Sequence, residues 1–283
     1  MVSIGPLPMT LAVLLVALAI AIAVGWRVAR GAPGESPVKV MPTIVDMLFV
    51  GALAARLGFV LEWLPQYRAD PWAIIRIGDG GFSIWAGVLA GVGFGAWRAR
   101  KAARLRRPLM FAVVAGLASW AVLGGALLLM QQSVLKLPTA ELTTLEGGTT
   151  NLSTMSGKPM VVNLWATWCP PCRREMPVLA SAQARRGDVT FAFVNQGESA
   201  EVINDYLRGG DLQVRNVLLD LFSSVSQEAG SRGLPTTLFF DADGRLVDTH
   251  MGELSEASLA QKLQRFGPAA PPNPNPVPSK EVP

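Results

Sequence analysis

Polar residues follow two different patterns along the chain, and the change comes near residue 136. Before it, four apolar stretches contain few polar residues, and they run over residues 7–28, 41–64, 82–97 and 108–130. A helix needs about 20 apolar residues to cross a bilayer. The pattern therefore predicts an α-helical membrane bundle of about four transmembrane helices over residues 1–136, in which the third segment is the shortest.

Beyond residue 136, short apolar runs alternate with amphipathic stretches. Runs of apolar and β-branched residues predict strands over 160–165, 189–195 and 216–219, and hairpins over 141–152 and 236–249. Helical periodicity predicts helices over 171–185, 198–208, 223–229 and 255–266. This order is typical of an α/β domain, a mixed sheet flanked by helices, over residues 137–266. Residues 267–283 contain seven prolines and are expected to form a disordered tail.

The composition separates the same two halves. The chain is 50% hydrophobic and only 16% charged, with a mean hydropathy of +0.34, whereas a soluble domain carries roughly 25% charge. Residues 1–136 hold 13 Lys or Arg and 5 Asp or Glu, and residues 137–283 hold 12 and 16. The net charge of +4 averages two unlike halves, so it predicts neither nucleic-acid binding nor a basic fold.

The basic residues of the N-terminal half predict its orientation. Six of them stand between the third and fourth apolar stretches: Arg98, Arg100, Lys101, Arg104, Arg106 and Arg107. Because cytoplasmic loops carry an excess of Lys and Arg, this loop is expected inside, and the next crossing puts the C-terminal half and both termini outside. A cleaved signal peptide is the alternative for the first stretch, but residues 1–10 lack its basic start.

Three ionisable residues, Asp46, Arg56 and Glu62, lie within the second apolar stretch. Such residues are expensive at membrane depth and usually face the interior of a bundle or a cavity. We therefore expect an internal ion-pair cluster of these three side chains. A pocket for an anionic lipid is the alternative.

The N-terminal half resembles the first part of prolipoprotein diacylglyceryl transferase. The resemblance covers roughly residues 1–105, and it is carried by residues 54–61, 65–71 and 79–87. Where that family has a catalytic histidine, this chain has Trp85, and the family's later Gly-Arg-Leu-Gly-Asn-Phe signature is absent. Because an indole cannot exchange a proton as imidazole does, we expect no transferase activity from this half.

Both cysteines stand in the motif Cys169-Pro170-Pro171-Cys172, between a predicted strand and a predicted helix. This arrangement is typical of a redox site, because a spacing of three residues puts both sulfurs within bonding reach. The helix N-terminus favours a thiolate at Cys169. A zinc site would need two more ligands, and the chain has no other cysteine and one histidine. A purely structural disulfide is the other alternative, although so short a ring gains little stability.

The surrounding residues resemble the TlpA, ResA and cytochrome-maturation branch of the thioredoxin superfamily. The resemblance covers about residues 139–266 and is carried by residues 161–177 and 233–244. It implies a thioredoxin-like fold. It also implies that the reaction needs no cofactor beyond the redox-active disulfide Cys169–Cys172.

The same resemblance implies roles for individual residues. Cys169 is expected to be the exposed nucleophile, and Cys172 the more buried resolving thiol. Pro235 matches a cis-proline that would set the backbone of Leu234 and Pro235 against an incoming peptide; an ordinary trans proline is the alternative. Glu175 matches an acidic residue that could move the proton of the resolving thiol. A solvated carboxylate on the helix surface is the alternative for Glu175.

Substrate contacts are expected from the residues that border the cysteines and the proline. They are Trp168, Pro170, Pro171, Leu234 and Thr236. Trp165 is expected in the core and Trp168 at the rim. Asn163 stands where thioredoxin has a buried aspartate, which leaves proton transfer to Glu175 or water. His250 is expected to be a surface residue at a strand end.

Together these features predict a membrane-anchored thiol:disulfide oxidoreductase that reduces protein disulfides. It is expected in the inner membrane of a Gram-negative-type envelope, multi-pass, with the α/β domain in the periplasm. Its expected partners are protein disulfides, the lipid bilayer and a membrane electron donor of the DsbD or CcdA kind; the resemblance suggests cytochrome c apoproteins or copper-delivery proteins as targets.

Three other functions remain open. The chain could be a transferase-related membrane protein with a residual lipid-binding or transferase role. It could be a peroxidase of the peroxiredoxin type, although Val162 and Ala166 occupy the Pro and Thr positions of that motif. It could also be a scaffold without enzymatic activity.

Overall fold

The computed structural model describes residues 3–4, 7–30, 40–130, 136–231 and 233–267. The chain forms two compact units, which we call the first unit (Met1–Ser133) and the second unit (Val134–Pro283). The predicted tail over 268–283 lies outside the described residues.

The described part of the first unit is mainly helical, with a small ribbon at its start. Strands β1 (Ser3–Ile4) and β2 (Leu7–Pro8) pair antiparallel, a feature that the hydrophobic pattern did not predict. The helices that follow are α1 (Met9–Arg30), α2 (Val40–Glu62), α3 (Leu64–Ala69), α4 (Ile84–Lys101) and α5 (Arg106–Met130). Short 3-10 turns cover Pro71–Ile74, Ile77–Asp79 and Ala103–Leu105.

Among the described residues of the first unit, three segments are long and apolar enough to cross a membrane: Ala12–Arg30, Val40–Glu62 and Ala103–Ala126. Between 11% and 28% of each is buried inside the protein, so most of their apolar surface faces outward, as lipid-facing helices require. The third predicted segment does form helix α4, but its last turn carries Arg98, Arg100 and Lys101. Four crossings therefore remain a prediction, while three candidate spans are present.

Helices α2 and α4 pack closely because glycines face each other. A Cβ atom at Gly51 would stand 3.0 Å from the carbonyl oxygen of Gly87, and one at Gly91 would stand 3.0 Å from that of Met47. Small residues let helix backbones approach in membranes, where no hydrophobic force drives association. Helix α1 packs against α5.

The second unit is built on one mixed sheet of seven strands, in the order β4-β3-β7-β6-β5-β8-β9. The strands are β3 (Leu142–Thr144), β4 (Thr149–Thr150), β5 (Met160–Trp165), β6 (Thr190–Gln196), β7 (Val217–Asp220), β8 (Thr236–Phe240) and β9 (Leu246–Met251). The helices are α6 (Pro170–Arg185), α7 (Ala200–Gly209), α8 (Ser224–Glu228) and α9 (Glu256–Leu263), the last followed by a 3-10 turn. Strands β5, β6 and β7 are parallel, and the other pairs are antiparallel.

Strand β5 lies inside the sheet, between β6 and β8, and all six of its residues are buried. Successive side chains of a strand point to opposite faces. Accordingly, Val161 and Trp165 join one core cluster, and Val162 and Leu164 join the other. Strand β8 begins where β5 ends, with Thr236 opposite Leu164. The ends of β5, β6 and β7 and the start of β8 therefore meet at one edge of the sheet.

The observed elements follow the predicted ones with small shifts that have local causes. Strand β7 begins at Val217 rather than at Asn216, because Asn216 has a left-handed backbone with φ of 59°. Helix α7 begins at Ala200 rather than at Glu198, because Ser199 is extended and occupies the N-cap.

The surface position predicted for His250 is wrong. Only 8% of the residue is exposed. It lies within β9 opposite Thr237, and its Nε2 atom is 3.3 Å from the carbonyl oxygen of Glu253. The segment that follows β9 folds back over this residue, a tertiary contact that strand periodicity does not reveal.

Candidate active site

The two cysteines lie where β5 passes through a tight turn into helix α6. Cys169 is the N-cap of α6, with Pro170 and Pro171 in the first turn. The backbone N–H of Cys172 donates to the Sγ atom of Cys169 over 3.3 Å. The N–H of Cys169 donates to the carbonyl oxygen of Ala166, also over 3.3 Å, and closes the turn. Prolines fit this position because the first N–H groups of a helix have no intrahelical partner.

Cys169 and Cys172 form a disulfide with an S–S distance of 2.08 Å. In this oxidised state Cys169 is only 3% exposed and Cys172 is fully buried. The prediction of an exposed Cys169 is therefore wrong for this state, because the disulfide packs against the core cluster that contains Trp165, Met176 and Leu254. Cys169 is still the more exposed of the two residues. Its role as nucleophile remains a prediction.

The residues expected to contact substrate are not equally available. Trp168 is 67% exposed, Pro170 is exposed and Pro171 is half-buried. Leu234 is half-buried and packs against the cluster that contains both cysteines, and the peptide bond between Leu234 and Pro235 is cis.

Thr236, in contrast, is fully buried. Its Oγ1 atom donates to the carbonyl oxygen of Gly233 over 2.7 Å and accepts from Ser231 Oγ over 2.9 Å. The prediction that the Thr236 side chain contacts substrate is therefore wrong, because its hydroxyl is used within the loop that carries Pro235.

Glu175 lies on α6 one helical turn after Cys172, and none of its surface is exposed. Its Oε1 atom accepts from Asn163 Nδ2 over 2.7 Å, and its Oε2 atom accepts from the N–H of Leu254 over 2.9 Å. The alternative of a solvated surface carboxylate is thus wrong. Burial raises the pKa of Glu175 from 4.5 to about 8; the hydrogen bonds from Leu254 and Asn163 oppose this rise, and the charge of Glu253 adds to it.

Asn163 connects Glu175 to the sheet. Its Nδ2 atom also donates to Thr237 Oγ1 over 3.0 Å, while its Oδ1 atom is buried without a hydrogen bond. Trp165 is fully buried, as predicted, with its indole ring against Tyr206.

Sequence reasoning missed a second carboxylate near the cysteines. Glu198 accepts hydrogen bonds from Thr167, in the turn before Cys169, and from Asn195 at the end of β6. The sequence does contain a signal for this carboxylate. Asn195 follows the apolar part of β6 directly, Glu198 comes three residues later, and β6 is the neighbour of β5 in the sheet.

The predicted cluster of Arg56, Asp46 and Glu62 in the first unit does not form. Asp46 and Glu62 are exposed, and at 100° per residue they project roughly 80° and 120° away from Arg56 around α2. Arg56 pairs instead with Asp79, with an Nη1–Oδ1 distance of 2.8 Å. Tyr67 donates its hydroxyl hydrogen to the same carboxylate over 2.8 Å.

Arg56 also donates to backbone carbonyl oxygens from the loop between α3 and α4. Its Nη1 atom reaches Gly81 and its Nη2 atom reaches Ala73, both over 2.8 Å. A guanidinium used in this way has no donors left for a lipid headgroup, so the anionic-pocket alternative has no support. Trp85, at the position of the transferase histidine, is 79% exposed. Within the described residues of the first unit, Arg56 and Trp85 thus give the transferase alternative no support.

Comparison with known proteins finds a different family model for each unit. The model of the prolipoprotein diacylglyceryl transferase family matches residues 1–128, and that of the redoxin family matches residues 133–263. The thioredoxin-like protein YneN of Bacillus subtilis is 31% identical over 130 residues, which cover 44% of this chain and 75% of YneN.

Two further relatives match the same region. The thiol-disulfide oxidoreductase ResA of Halalkalibacterium halodurans is 29% identical over 128 residues, covering 44% of this chain and 72% of ResA. The solved exposed lipoprotein thioredoxin of Streptococcus pneumoniae is 29% identical and covers 44% of this chain and 98% of its own, with a TM-score of 0.39. The chain joins a diacylglyceryl transferase-like membrane domain to a redoxin domain, and through the latter it belongs to the thioredoxin-like family.

Proposed function

We propose that the protein is a membrane-anchored thiol:disulfide oxidoreductase that reduces disulfides in other proteins. The observation that carries this proposal is the Cys169–Cys172 disulfide at the N-terminus of α6, whose next turn carries the buried Glu175. The cysteine pair itself carries two electrons, so the reaction needs no bound cofactor. The relatives named thiol-disulfide oxidoreductase support the same chemistry.

Reduction of a target proceeds through two thiol–disulfide exchanges. The thiolate of reduced Cys169 attacks one sulfur of the target disulfide, which forms a mixed disulfide and releases the other target sulfur as a thiolate. Cys172, after losing its proton, attacks Cys169 Sγ and releases the second target thiolate. The target has then gained two electrons, and the Cys169–Cys172 disulfide has formed again.

Glu175 is suited to accept the proton of Cys172. Both residues are fully buried, so water does not reach the thiol directly, and an internal base is needed. A pKa of about 8 lets the carboxyl group take up and release a proton near neutral pH.

Substrate contacts come from the exposed part of the site. Trp168 and Pro170 form the rim beside Cys169, with Pro171 behind them, and the backbone of Leu234 and Pro235 pairs with the target peptide. Thr236 holds the loop of Pro235 through its bond to Gly233 and does not itself contact substrate.

We further propose that the second unit lies in the periplasm, anchored in the inner membrane by several crossings. The support is the group of six basic residues in the last turn of α4, in the short turn that follows it and at the start of α5, which favours a cytoplasmic position for this end of the two helices. Helix α5 then carries the chain to the other side. Because that compartment is oxidising, a membrane protein of the DsbD or CcdA kind must supply electrons.

The activity is tested with the full-length protein in detergent micelles. We expect it to accelerate the reduction of insulin disulfides by dithiothreitol, and Cys169→Ser to lower this acceleration at least about a hundredfold, because the attacking thiolate is lost. A Glu201→Gln variant, altered at an exposed residue of α7, should keep the full rate. An inactive wild-type protein, or an equally active Cys169→Ser variant, would contradict the proposal.

The orientation is tested by labelling in cells. After reduction with a permeant reagent, a membrane-impermeant maleimide should modify Cys169 once the outer membrane is permeabilised. Protection of Cys169 until the inner membrane is lysed would place the second unit in the cytoplasm and overturn the periplasmic assignment. The maleimide should leave the Cys169→Ser, Cys172→Ser double variant unlabelled, since it contains no other cysteine.

A further inference from the structure

The turn over residues 166–169 determines where the Cys169 sulfur points. It connects the last residue of β5 to the first residue of α6, and the N–H of Cys169 donates to the carbonyl oxygen of Ala166. Thr167 and Trp168 occupy its two corners. Trp168 projects into solvent, whereas Thr167 turns inward and is half-buried.

Glu198 holds the inward corner of this turn. Its Oε2 atom accepts from the backbone N–H of Thr167 over 2.7 Å, and its Oε1 atom accepts from the Thr167 hydroxyl. Two hydrogen bonds from one residue to the two oxygens of one carboxylate fix both the distance and the orientation of that corner, and bonds to a charged acceptor are the stronger kind.

The carboxylate is itself fixed from the neighbouring strand. Asn195 is fully buried at the position of β6 that pairs with Trp165 of β5. Its Nδ2 atom donates to Glu198 Oε2 over 2.7 Å, and its Oδ1 atom accepts from the N–H of Glu198 over 3.3 Å. Gly197, with φ of 81°, makes the sharp bend that returns Glu198 towards Asn195.

We infer that Glu198 is a positioning residue for the attack of Cys169 on a target disulfide. Through Thr167 it holds the turn that presents Cys169 and Trp168 to the target, and it ties this turn to β6 through Asn195. The inference rests on the proposed function, because it concerns the same exchange reaction. Thiolate attack needs the three sulfurs in line, so a loosened turn slows exchange even when the thiolate forms normally.

Two substitutions separate this role from a general need for a carboxylate. Glu198→Ala removes both carboxylate oxygens, so Thr167 loses its two hydrogen bonds and the turn is no longer held to β6. Glu198→Gln keeps the three bonds, because the amide oxygen can accept from Thr167 N–H and Asn195, and the amide nitrogen can donate to the Thr167 hydroxyl. The matched control is Glu201→Ala, which removes an exposed carboxylate three residues further along.

The test measures the full-length, reduced protein in detergent micelles with insulin as the disulfide. We expect Glu198→Ala to lower the second-order rate constant about tenfold, and Glu198→Gln and Glu201→Ala to stay within about twofold of the wild type. Alkylation of Cys169 by iodoacetamide, compared at equal thiolate fraction, should stay unchanged in every variant, because it needs a thiolate but no aligned partner.

An unchanged insulin rate for Glu198→Ala, or a Glu198→Gln variant as slow as Glu198→Ala, would overturn the inference while leaving the proposed function intact. An inactive wild-type protein would instead contradict the proposed function. If Glu198→Ala does not fold, Thr167→Val and Thr167→Ser decide the matter. The valine variant, which lacks the hydroxyl, should be about threefold slower and the serine variant normal; equal rates would overturn the inference.

Discussion

Replacing Cys172 by alanine is expected to stop turnover and to leave Cys169 joined to its targets by mixed disulfides. Cys169 can still attack, but the thiol that releases the target is gone, and no other cysteine in the chain can replace it. We expect release to slow by about a thousandfold or more, since a catalytic pair fails when either member is removed. Membranes from cells that produce this variant should show high-mass adducts on non-reducing gels.

The matched controls are the Cys169→Ala variant and the double alanine variant, which should form no adducts. If adducts form on the Cys169→Ala variant and not on Cys172→Ala, then Cys172 is the attacking sulfur and Cys169 the resolving one. Mass spectrometry of the adducts would also identify the targets, and it would show whether they include cytochrome c apoproteins or copper-delivery proteins.

Glu175 is expected to make the second unit less stable as the pH rises from about 4.5 to about 8. Burial raises the pKa of this carboxyl group to about 8 in the folded protein, so below pH 4.5 it is protonated in both the folded and the unfolded state. Between these values the unfolded chain releases the proton and the folded protein keeps it, which favours unfolding. The loss is on the order of 5 kcal/mol, and it stays constant above pH 8.

Pulse proteolysis of the full-length protein in urea, repeated at a series of pH values, measures this loss of stability. The protease cleaves the unfolded chains, so the cleaved fraction gives the unfolded fraction. Glu175→Gln should remove most of the decline between pH 4.5 and 8, whereas Glu201→Gln, at an exposed carboxylate, should leave it in place. A wild-type protein with the same stability at pH 5 and pH 8 would show that Glu175 is ionised throughout. Glu175→Gln should also slow the decay of the mixed disulfide near pH 8, because the proton acceptor for Cys172 is missing.

Much of the second unit could be predicted from sequence because its signals are local. Strand β5 is a continuous apolar run, and Cys169-Pro170-Pro171-Cys172 marks the start of the helix that follows. The position of Glu175 follows from helix periodicity. Its burial does not, since it depends on Leu254, which lies 79 residues further along the chain.

The contacts that could not be predicted join distant parts of the chain. The sequence predicts partners for Arg56 on its own helix, whereas its carboxylate partner in the structure is Asp79, which lies 23 residues away in a loop. Glu198 and Thr167 are 31 residues apart, and they meet only because β5 and β6 are neighbours in the sheet. Periodicity shows which face of an element is apolar, but it does not show which polar groups come to lie opposite one another.

Pro171 limits the hydrogen bonds that helix α6 can offer to the Cys169 sulfur. A side chain at the N-cap of a helix normally accepts from the second or third N–H group of that helix. Here the second position is a proline without an N–H, so the Cys169 sulfur receives its helix hydrogen bond from Cys172. A thiolate with one such donor is less stabilised than a thiolate with two, and a less stabilised dithiol gives up its electrons more readily. We therefore expect this pair to have a low reduction potential, which a redox titration would measure, and to act as an electron donor among thioredoxin-like proteins.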